Sequence, residues 1–293
     1  MTTSMTAPRV GVVLLTQGTR PAELREALQS VLAQQGVELD VVVVGNGWIP
    51  RGLPDGVRGL ALGENLGIPA GRNRGAEAVS GEWIFFLDDD AAVPSTTFVR
   101  DAVELMIDEP AIALVQPQVL DPSGVTNPQR WIPRMRKGDP SESSDVFSVW
   151  EGAVVMDRAV FDQIGGWGDP YFYAHEGIEL AWRVWAAGRR ARYEGGLVAH
   201  HPAIDPARHS YYHRLNARNR VWLAKRNLPR VLIPFYVGTW TIVHIVRNWR
   251  SPLILRSWFR GWFEGWRTSP GGEQPMGWRT VWRMTRAGRP PIV

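Results

Sequence analysis

Continuous apolar runs alternate with helix-like patterns along the first 116 residues of the chain. The runs at residues 10–15, 41–44 and 83–87 contain no charged side chain, which is typical of strands buried on both faces. Apolar residues recur at helical spacing after Pro21, and a second helix is predicted to begin near Pro69. Because only short loops separate these segments, we predict an α/β fold with a mostly parallel, Rossmann-like sheet flanked by helices.

The chain has 293 residues, enough for one large α/β domain with an appendage, and it contains no cysteine. Disulfides, thiolate metal sites and cysteine nucleophiles are therefore excluded, and any metal ion must be bound by oxygen or imidazole ligands. Residues 1–8 lack the apolar segment of a secretory signal, so we expect a cytoplasmic protein.

Charge is distributed unevenly along the chain. Residues 207–293 carry 16 Lys or Arg, 2 Glu and 8 of the 15 tryptophans, whereas residues 1–206 carry 17 basic and 27 acidic side chains. We therefore predict two regions, an α/β domain at 1–206 and a helical, basic, Trp-rich extension at 207–293.

Three adjacent carboxylates, those of Asp88, Asp89 and Asp90, directly follow the apolar run at 83–87. Adjacent carboxylates repel one another unless a cation or water compensates their charge. In parallel α/β folds, ligands bind beyond the carboxyl ends of the strands, where this triplet is expected to lie. We interpret the triplet as part of a site for a divalent cation that holds a phosphorylated substrate. The alternative is a solvated acidic turn.

Five segments match, in order, the sequence pattern of a known enzyme family. They are residues 10–34, Asn65-Leu66-Gly67 with Arg72-Asn73-x-Gly75, residues 87–90, Gly165-Gly166-Trp167, and residues 176–183. By these motifs residues 9–227 resemble the family 2 glycosyltransferases of the GT-A fold, including bacterial rhamnosyl- and galactofuranosyltransferase-like members. The resemblance implies a GT-A catalytic domain with a nucleotide-sugar half at 9–120 and an acceptor half at 145–206.

The resemblance also implies a metal-dependent, inverting transfer of a sugar from a UDP- or dTDP-linked donor to a glycan or lipid-linked acceptor. The cofactor would be Mn²⁺ or Mg²⁺, which stabilises the charge that develops on the diphosphate as the sugar leaves. The expected metal ligands are Asp90, Asp88 and His200, with His201 as a neighbour and a polar turn as the alternative for the two histidines. The expected nucleotide-sugar contacts are Thr16, Asn46, Asn65, Arg72, Asp88 and Asp89.

Two positions depart from the family pattern. Asn46 stands where the family usually has an Asp that contacts the base, and its amide can hydrogen-bond a pyrimidine but offers no charge. Gly177 stands where the family usually has the Asp that takes the acceptor proton. We therefore assign the general base to Glu176 first and Glu179 second. An ion pair of Glu179 with Arg183, four residues on, is the competing interpretation, and loss of activity is another.

Aromatic side chains after Gly166 are candidates for the acceptor pocket, because sugars stack on aromatic faces. We assign Trp167 and Tyr173 to this pocket, with packing in the core as the alternative.

The basic extension allows three interpretations. Nucleic-acid binding is not favoured, because the extension has none of the motifs of that class. A helix packed on the catalytic domain is the second interpretation. The third is a peripheral helix on an anionic membrane surface at the inner face of the cell membrane, and we favour it. It rests on aromatic residues that recur at three- and four-residue steps beside arginines: Trp258, Phe259, Trp262, Phe263 and Trp266.

Two other classes stay open. A sugar-nucleotidyltransferase also combines an α/β sheet with metal-binding aspartates, but it usually has a Gly-rich phosphate loop, and residues 16–20 contain a single glycine. A degenerate, non-catalytic sugar-nucleotide-binding protein docked on a membrane is the second class.

Overall fold

The computed structural model describes residues 7–123, 128–134, 137–203 and 211–292, so most of the N-terminal segment at 1–8 lies outside the described residues. The strands are β1 (Arg9–Thr16), β2 (Glu38–Asn46), β3 (Val57–Leu62), β4 (Trp83–Asp88), β5 (Ile112–Leu120), β6 (Ser144–Val146), β7 (Ala153–Asp157) and β8 (Arg190–His200). The α-helices are α1 (Pro21–Leu32), α2 (Ile68–Ala78), α3 (Phe98–Asp108), α4 (Arg158–Gln163), α5 (Glu176–Ala186), α6 (Tyr212–Asn227), α7 (Ile233–Asn248), α8 (Pro252–Arg267) and α9 (Trp278–Arg286).

The strands form a single sheet in the order β3-β2-β1-β4-β7-β5-β8-β6. Four neighbouring pairs are parallel, namely β2 with β3, β1 with β2, β1 with β4, and β5 with β8. Strand β7 is antiparallel to β4 and β5, and β6 is antiparallel to β8. The mostly parallel α/β sheet predicted from the apolar runs is confirmed.

Alternate residues of the central strands supply two separate cores, one on each face of the sheet. In β1, Val10, Val12 and Leu14 pack with apolar residues of α1 and α3. Val13 packs on the other face, in a cluster that includes residues of α2, α4 and α5. Both faces of the sheet are therefore covered by helices, which is why the strands are continuously apolar.

The sheet order places a ligand site beside β1. The chain enters β2 on one side of β1 and β4 on the other, and such a switch point is where open α/β sheets bind their ligands. The register pairs Leu15 of β1 with Asp88 of β4, so both strands end at the same edge of the sheet.

Helix α8 packs closely on α6. A Cβ on Gly261 would lie 1.9 Å from the carbonyl oxygen of Arg214, so only glycine allows this approach. Part of the aromatic series predicted to face a membrane is turned inward by this packing: Trp258 is buried and stacks on His244 with ring centroids 4.6 Å apart, whereas Phe263 is exposed. No helix in the described part of the chain is both long enough and apolar enough to span a bilayer.

Candidate functional site

A cavity of about 740 Å³ opens at the ends of β1, β2 and β4. One wall carries polar side chains from these strand ends and from α2: Thr16, Arg20, Asn46, Asn65, Arg72, Asp88, Asp89 and Asp90. The rest of the lining comes from residues before β7, before and within α5, and around α6, among them Trp150, Glu151, Tyr173, His175, Glu176, Tyr211, Tyr212 and Arg220. A cavity whose lining combines arginines, carboxyl groups and aromatic side chains suits polar substrates.

The three aspartates of the triplet have different partners. Asp88 accepts a hydrogen bond from Arg72 Nη2 at 2.6 Å. The carboxylate of Asp89 accepts from Thr16 Oγ1 at 2.5 Å and from Arg20 Nη2 at 2.6 Å, and Arg20 also contacts Asp90. Two guanidinium groups thus compensate three carboxylates, which leaves net negative charge at the cavity wall.

Among the described residues, Asp88, Asp90 and His201 form one group that fits a metal ion, with potential ligand atoms all within 4.8 Å of one another. His201 Nε2 lies 3.2 Å from Asp90 Oδ1. Two carboxylate oxygens and one imidazole nitrogen are ligands that suit Mn²⁺. His200, which the sequence favoured as the ligand, belongs neither to this group nor to the cavity lining. Successive residues of an extended strand point to opposite sides, so only one of two adjacent histidines faces the aspartates.

Aromatic rings hold the imidazole of His201 in place. The rings of Trp150 and Trp131 lie edge-on to it, with centroids 4.9 Å and 5.7 Å away. The backbone N–H of His201 donates to the Leu120 carbonyl at 3.0 Å, which anchors the end of β8 beside β5.

The pKa values of two neighbouring carboxyl groups of the triplet are shifted in opposite directions. It raises the pKa of Asp89 to about 6, against the opposing effects of the Thr16 hydroxyl and the Arg20 guanidinium. Burial also disfavours ionisation of Asp90, but the imidazole of His201 and Arg20 outweigh it and hold the pKa of that carboxyl below its usual value. Asp90 is therefore kept ionised, as a metal ligand must be.

The side chain of Asn46 is engaged with the loop that precedes α2. Its Nδ2 donates to Asn65 Oδ1 at 2.9 Å and to the Gly67 carbonyl at 3.0 Å, and its Oδ1 accepts from the N–H of Leu66 at 2.8 Å. Both amide hydrogens are used within the protein, so Asn46 has only an acceptor lone pair left for a ligand in the cavity.

The segment between the cavity and α5 has an unusual backbone. Three residues that are not glycine, Phe172, Ala174 and His175, have positive φ angles of 66°, 69° and 79°. L-residues rarely adopt this conformation, and it persists where surrounding contacts enforce it. The buried Asn219 of α6 supplies such contacts, because its Nδ2 donates to the carbonyls of Tyr173 at 2.7 Å and Ala174 at 2.9 Å.

Glu176 and Glu151 bring two carboxyl groups together in the cavity lining. Glu176 is 3% exposed, and its Oε2 finds no hydrogen-bond partner among the described residues. Glu151 Oε1 accepts from the N–H of Gly177 at 2.8 Å. Burial raises the pKa of both, that of Glu176 to about 8 with a further contribution from the charge of Glu151.

Glu179, the second residue considered as a base, lies away from the cavity lining in an ion-pair network. Its Oε1 accepts from Arg226 Nε at 2.7 Å and Asn227 Nδ2 at 2.7 Å, and it lies 3.2 Å from Arg183 Nη2. The geometry thus contains the Glu179–Arg183 pair that was the competing interpretation. It also shows that the end of α6 contacts α5 directly.

The two aromatic residues assigned to the acceptor occupy different environments. Trp167 is buried and does not line the cavity; it packs edge-on against Phe86 at 5.2 Å and under the guanidinium of Arg72 at 4.8 Å. Tyr173 lines the cavity, with the ring of Tyr211 6.1 Å away.

Sequence reasoning missed several side chains of this site. Arg20 lies in the matched segment at residues 10–34, directly before α1. Its place after the first strand could have indicated that it lies near the strand ends. Glu151 and Asn219 had no such signal, since their partners lie 26 and 45 residues away along the chain.

Residues 12–165, just over half of the chain, match the family model described as Glycosyl transferase family 2. A pre-mycofactocin glycosyltransferase of Mycobacterium tuberculosis (strain CDC 1551 / Oshkosh) is 29% identical over an alignment of 143 residues, and the match covers 46% of this chain and 30% of that protein. The chain therefore matches less than a third of the length of this curated relative. The family resemblance read from the motifs is confirmed.

Solved glycosyltransferase structures share the fold at low sequence identity. GalNAc-T7 with UDP, GalNAc and Mn²⁺ superposes with a TM-score of 0.61 at 14% identity, over 80% of this chain and 50% of that one. The mannosyltransferase PcManGT from Pyrobaculum calidifontis, in complex with GDP-Man and Mn²⁺, gives 0.59 at 18% identity, over 86% and 74%. S. aureus TarS 1–349 in complex with UDP-GlcNAc gives 0.60 at 14% identity, over 86% and 79%.

Proposed function

The chain belongs to glycosyl transferase family 2, and on this premise we propose that it moves a sugar, with inversion at the anomeric carbon, from a nucleoside-diphosphate donor to a hydroxyl of a glycan or lipid-linked acceptor. One observation carries the proposal: a single cavity is lined by Asp88, Asp90 and His201, which we call the donor wall, and by the carboxyl groups of Glu151 and Glu176, which we call the acceptor wall. An inverting transfer needs a leaving-group site and a base on opposite sides of the reacting carbon.

The donor side would bind the nucleoside diphosphate through the strand ends. Asp88, Asp90 and His201 would hold a divalent cation, which when bound stabilises the negative charge that develops on the departing diphosphate. Arg72 adds a fixed positive charge there, because its Nη2 is held by Asp88 while its buried Nη1 finds no partner among the described residues. The bound UDP, GDP-Man and UDP-GlcNAc of the structural neighbours support a nucleotide-sugar donor, and we favour a UDP- or dTDP-linked one.

The acceptor side would orient a hydroxyl and take its proton. Tyr173 and Tyr211 give the cavity aromatic surfaces on which a sugar ring can stack. Glu151 and Glu176 line the cavity, and their carboxyl groups could serve as the base. Glu179 does not line it and is held by Arg183 and Arg226.

Nucleotide binding with and without metal tests this proposal. We expect UDP or dTDP to bind in isothermal titration only when Mn²⁺ is present, and Asp90→Asn to abolish that metal-dependent binding. A screen of UDP-, dTDP- and GDP-linked sugars should then identify one donor from which the enzyme releases nucleoside diphosphate. Binding that ignores Mn²⁺ would contradict the proposed site. Formation of pyrophosphate from a nucleoside triphosphate and a sugar 1-phosphate, supplied in place of the nucleotide sugars, would indicate a nucleotidyltransferase.

We also propose that the protein associates peripherally with an anionic membrane at the inner face of the cell membrane. The surface we assign to this role differs from the one the sequence favoured. Helix α7 and the start of α8 expose large apolar side chains, each more than half exposed: Phe235, Ile242, Val246, Trp249 and Leu253. Arg247, Arg250 and Arg256 are exposed beside them. Apolar side chains flanked by arginines suit the boundary between acyl chains and anionic headgroups.

A further inference from the structure

We propose that Glu151 is the base that takes the proton from the acceptor hydroxyl, in place of the side chain that residue 177 lacks; this inference rests on the proposed glycosyl transfer. The resemblance to family 2 puts an aspartate at position 177, and this chain has glycine there. The carboxylate of Glu151 lies in the space that a side chain at 177 would enter.

The geometry around Gly177 shows this directly. A Cβ on Gly177 would lie 2.3 Å from Glu151 Oε1 and 2.7 Å from its Cδ. It would also lie 2.3 Å from the carbonyl oxygen of Val149. The backbone of Gly177 does not have a positive φ, so space alone excludes a side chain there. Glu151 can therefore occupy this place only because residue 177 is glycine. The carboxylate here comes from the segment before β7.

Backbone hydrogen bonds attach that segment both to the end of β4 and to the start of α5. The N–H of Asp88 donates to the Gly152 carbonyl at 2.8 Å, so residue 151 follows the end of β4 where the metal ligands begin. On the other side, the N–H of Val149 donates to the Gly177 carbonyl at 3.3 Å, which joins the same segment to the start of α5. Glu151 lines the cavity between these two attachments.

The charges around the two carboxyl groups favour Glu151 over Glu176 as the proton acceptor. Burial and the charge of Asp88 raise the pKa of both carboxyl groups, and Arg72 opposes this at both; at Glu151 the N–H of Gly177 opposes it as well. At Glu176 the negative charge of Glu151 adds to burial and brings the pKa to about 8. A pair of interacting carboxyls shares a proton over a range of pH. We assign that proton to Glu176, whose Oε2 receives no hydrogen bond among the described residues, and the ionised form to Glu151, whose Oε1 accepts one from the N–H of Gly177.

The step balances without any further reactant. The acceptor oxygen forms a bond to the anomeric carbon as the bond from that carbon to the diphosphate oxygen breaks. The proton of the acceptor hydroxyl passes to a carboxylate oxygen of Glu151, and the electron pair of the broken bond leaves with the nucleoside diphosphate.

Matched isosteric variants test the assignment, with water as the acceptor and the donor that the wild type hydrolyses best in the presence of Mn²⁺. Glu151→Gln keeps an oxygen for the N–H of Gly177 but cannot take a proton. We expect it to lower hydrolysis by roughly 100-fold or more, the usual contribution of a general base, while metal-dependent UDP binding stays within about twofold. Glu176→Gln imitates the protonated state of Glu176 and should lower hydrolysis by less than about 10-fold.

Azide separates a chemical role from a structural one, because this anion has no proton to lose. In Glu151→Gln, formation of glycosyl azide from the same donor should proceed at the wild-type rate. Loss of azide transfer together with hydrolysis would assign Glu151 a structural role and overturn the inference. So would a larger loss of hydrolysis in Glu176→Gln than in Glu151→Gln. Absence of turnover by the wild type with every donor would instead overturn the proposed function itself, and this inference with it.

Discussion

The triplet of Asp88, Asp89 and Asp90 shows how three identical side chains in succession acquire different surroundings. Asp88 and Asp90 are two residues apart and both belong to the group that fits a cation. Asp89 between them is buried and held by Thr16 and Arg20. The charge of Arg20 reaches both Asp89 and Asp90, which lowers the repulsion within the triplet. Such an arrangement keeps two carboxylates available to a cation and uses the third to fix their backbone.

The two adjacent histidines allow a matched test of the metal site. His201→Ala removes a predicted ligand, and we expect the affinity for Mn²⁺ in the presence of UDP to fall by about 10-fold or more. His200→Ala removes a side chain that belongs neither to the ligand group nor to the cavity lining, so its Mn²⁺ affinity should stay close to that of the wild type. Titration of Mn²⁺ followed by electron paramagnetic resonance measures both. Equal losses in the two variants, or a larger loss in His200→Ala, would contradict the assignment.

The raised pKa of Glu176 predicts a dependence of stability on pH in the metal-free protein. Burial and the charge of Glu151 raise this pKa to about 8, from 4.5 for an ordinary glutamate. The folded state therefore binds a proton that the unfolded state releases, so the stability linked to this proton is complete below about pH 4.5 and is lost as pH rises through about 8. The loss can reach roughly 3–5 kcal/mol, since one pKa unit corresponds to about 1.4 kcal/mol.

Denaturant unfolding at pH 5 and pH 8 in the presence of a chelator tests this dependence. Wild-type stability should fall between the two values more than the stability of Glu176→Gln, which carries no ionisable group at this position. Glu26→Gln, a change of an exposed glutamate on α1, should follow the wild type. Parallel curves for the wild type and Glu176→Gln would show that this carboxyl is not held protonated in the fold.

At the scale of elements, helix α6 holds the strained segment that leads into α5. Three residues that are not glycine have positive φ angles there, and each costs about 1–3 kcal/mol in isolation. Asn219 of α6 opposes this cost by donating to carbonyl groups of the segment, including those of Tyr173 and Ala174. Although α6 lies beyond residue 206, where we predicted the extension to begin, its side chains support the acceptor wall of the cavity.

Removing this support should affect the acceptor wall and spare the donor wall. In Asn219→Ala, buried carbonyls lose a donor, and we expect a loss of about 1–3 kcal/mol in the free energy of unfolding. Donor hydrolysis should fall by about 10-fold because Glu176 follows the strained segment directly, whereas metal-dependent UDP binding should persist. Asn248→Ala is the control, since that amide bonds to the His244 carbonyl of its own helix. A parallel loss of UDP binding would show that α6 supports the whole site.

Features that depend on neighbouring residues, such as the central strands, could be predicted from the sequence. Contacts between residues far apart along the chain could not. The apolar runs correctly placed the central strands, because a strand buried on both faces needs no polar residue. The same period of two made the choice between His200 and His201 uncertain, since a shift of one residue reverses the face. The Glu151–Gly177 contact joins a loop to a helix start, and no local pattern encodes such a pairing. Burial of Trp258 under α7 likewise depends on how two helices pack.

At the scale of the whole molecule, helix α6 connects the candidate cavity to the helices that carry the exposed apolar surface. Helix α6 lines the cavity through Tyr212 and Arg220 and packs on α8 at its Gly261. Arg220 also donates to the hydroxyl of Tyr236 on α7 at 3.1 Å. The helices that carry the exposed apolar side chains thus contact the helix that lines the cavity. A membrane-bound protein would hold its cavity at a fixed orientation to the lipid surface, which suits a lipid-linked acceptor.

A matched pair of double variants tests membrane docking. Val246→Ser with Leu253→Ser removes two exposed apolar side chains from the proposed surface, and each full burial contributes about 1.5–3 kcal/mol. We expect partition onto vesicles of phosphatidylcholine with phosphatidylglycerol to fall by roughly 100-fold when both are lost. Leu32→Ser with Ile107→Ser removes exposed apolar side chains from α1 and α3, on the other part of the fold, and should leave partition unchanged.

Salt and lipid charge distinguish this mode of binding from simple apolar adhesion. The arginines beside the apolar surface predict that sedimentation with anionic vesicles weakens as ionic strength rises, because screening shortens the reach of their attraction to about 8 Å at 0.15 M. Vesicles of phosphatidylcholine alone should bind the protein much less. Equal binding to both kinds of vesicle, or no difference between the two double variants, would mean that this face contacts something other than an anionic membrane.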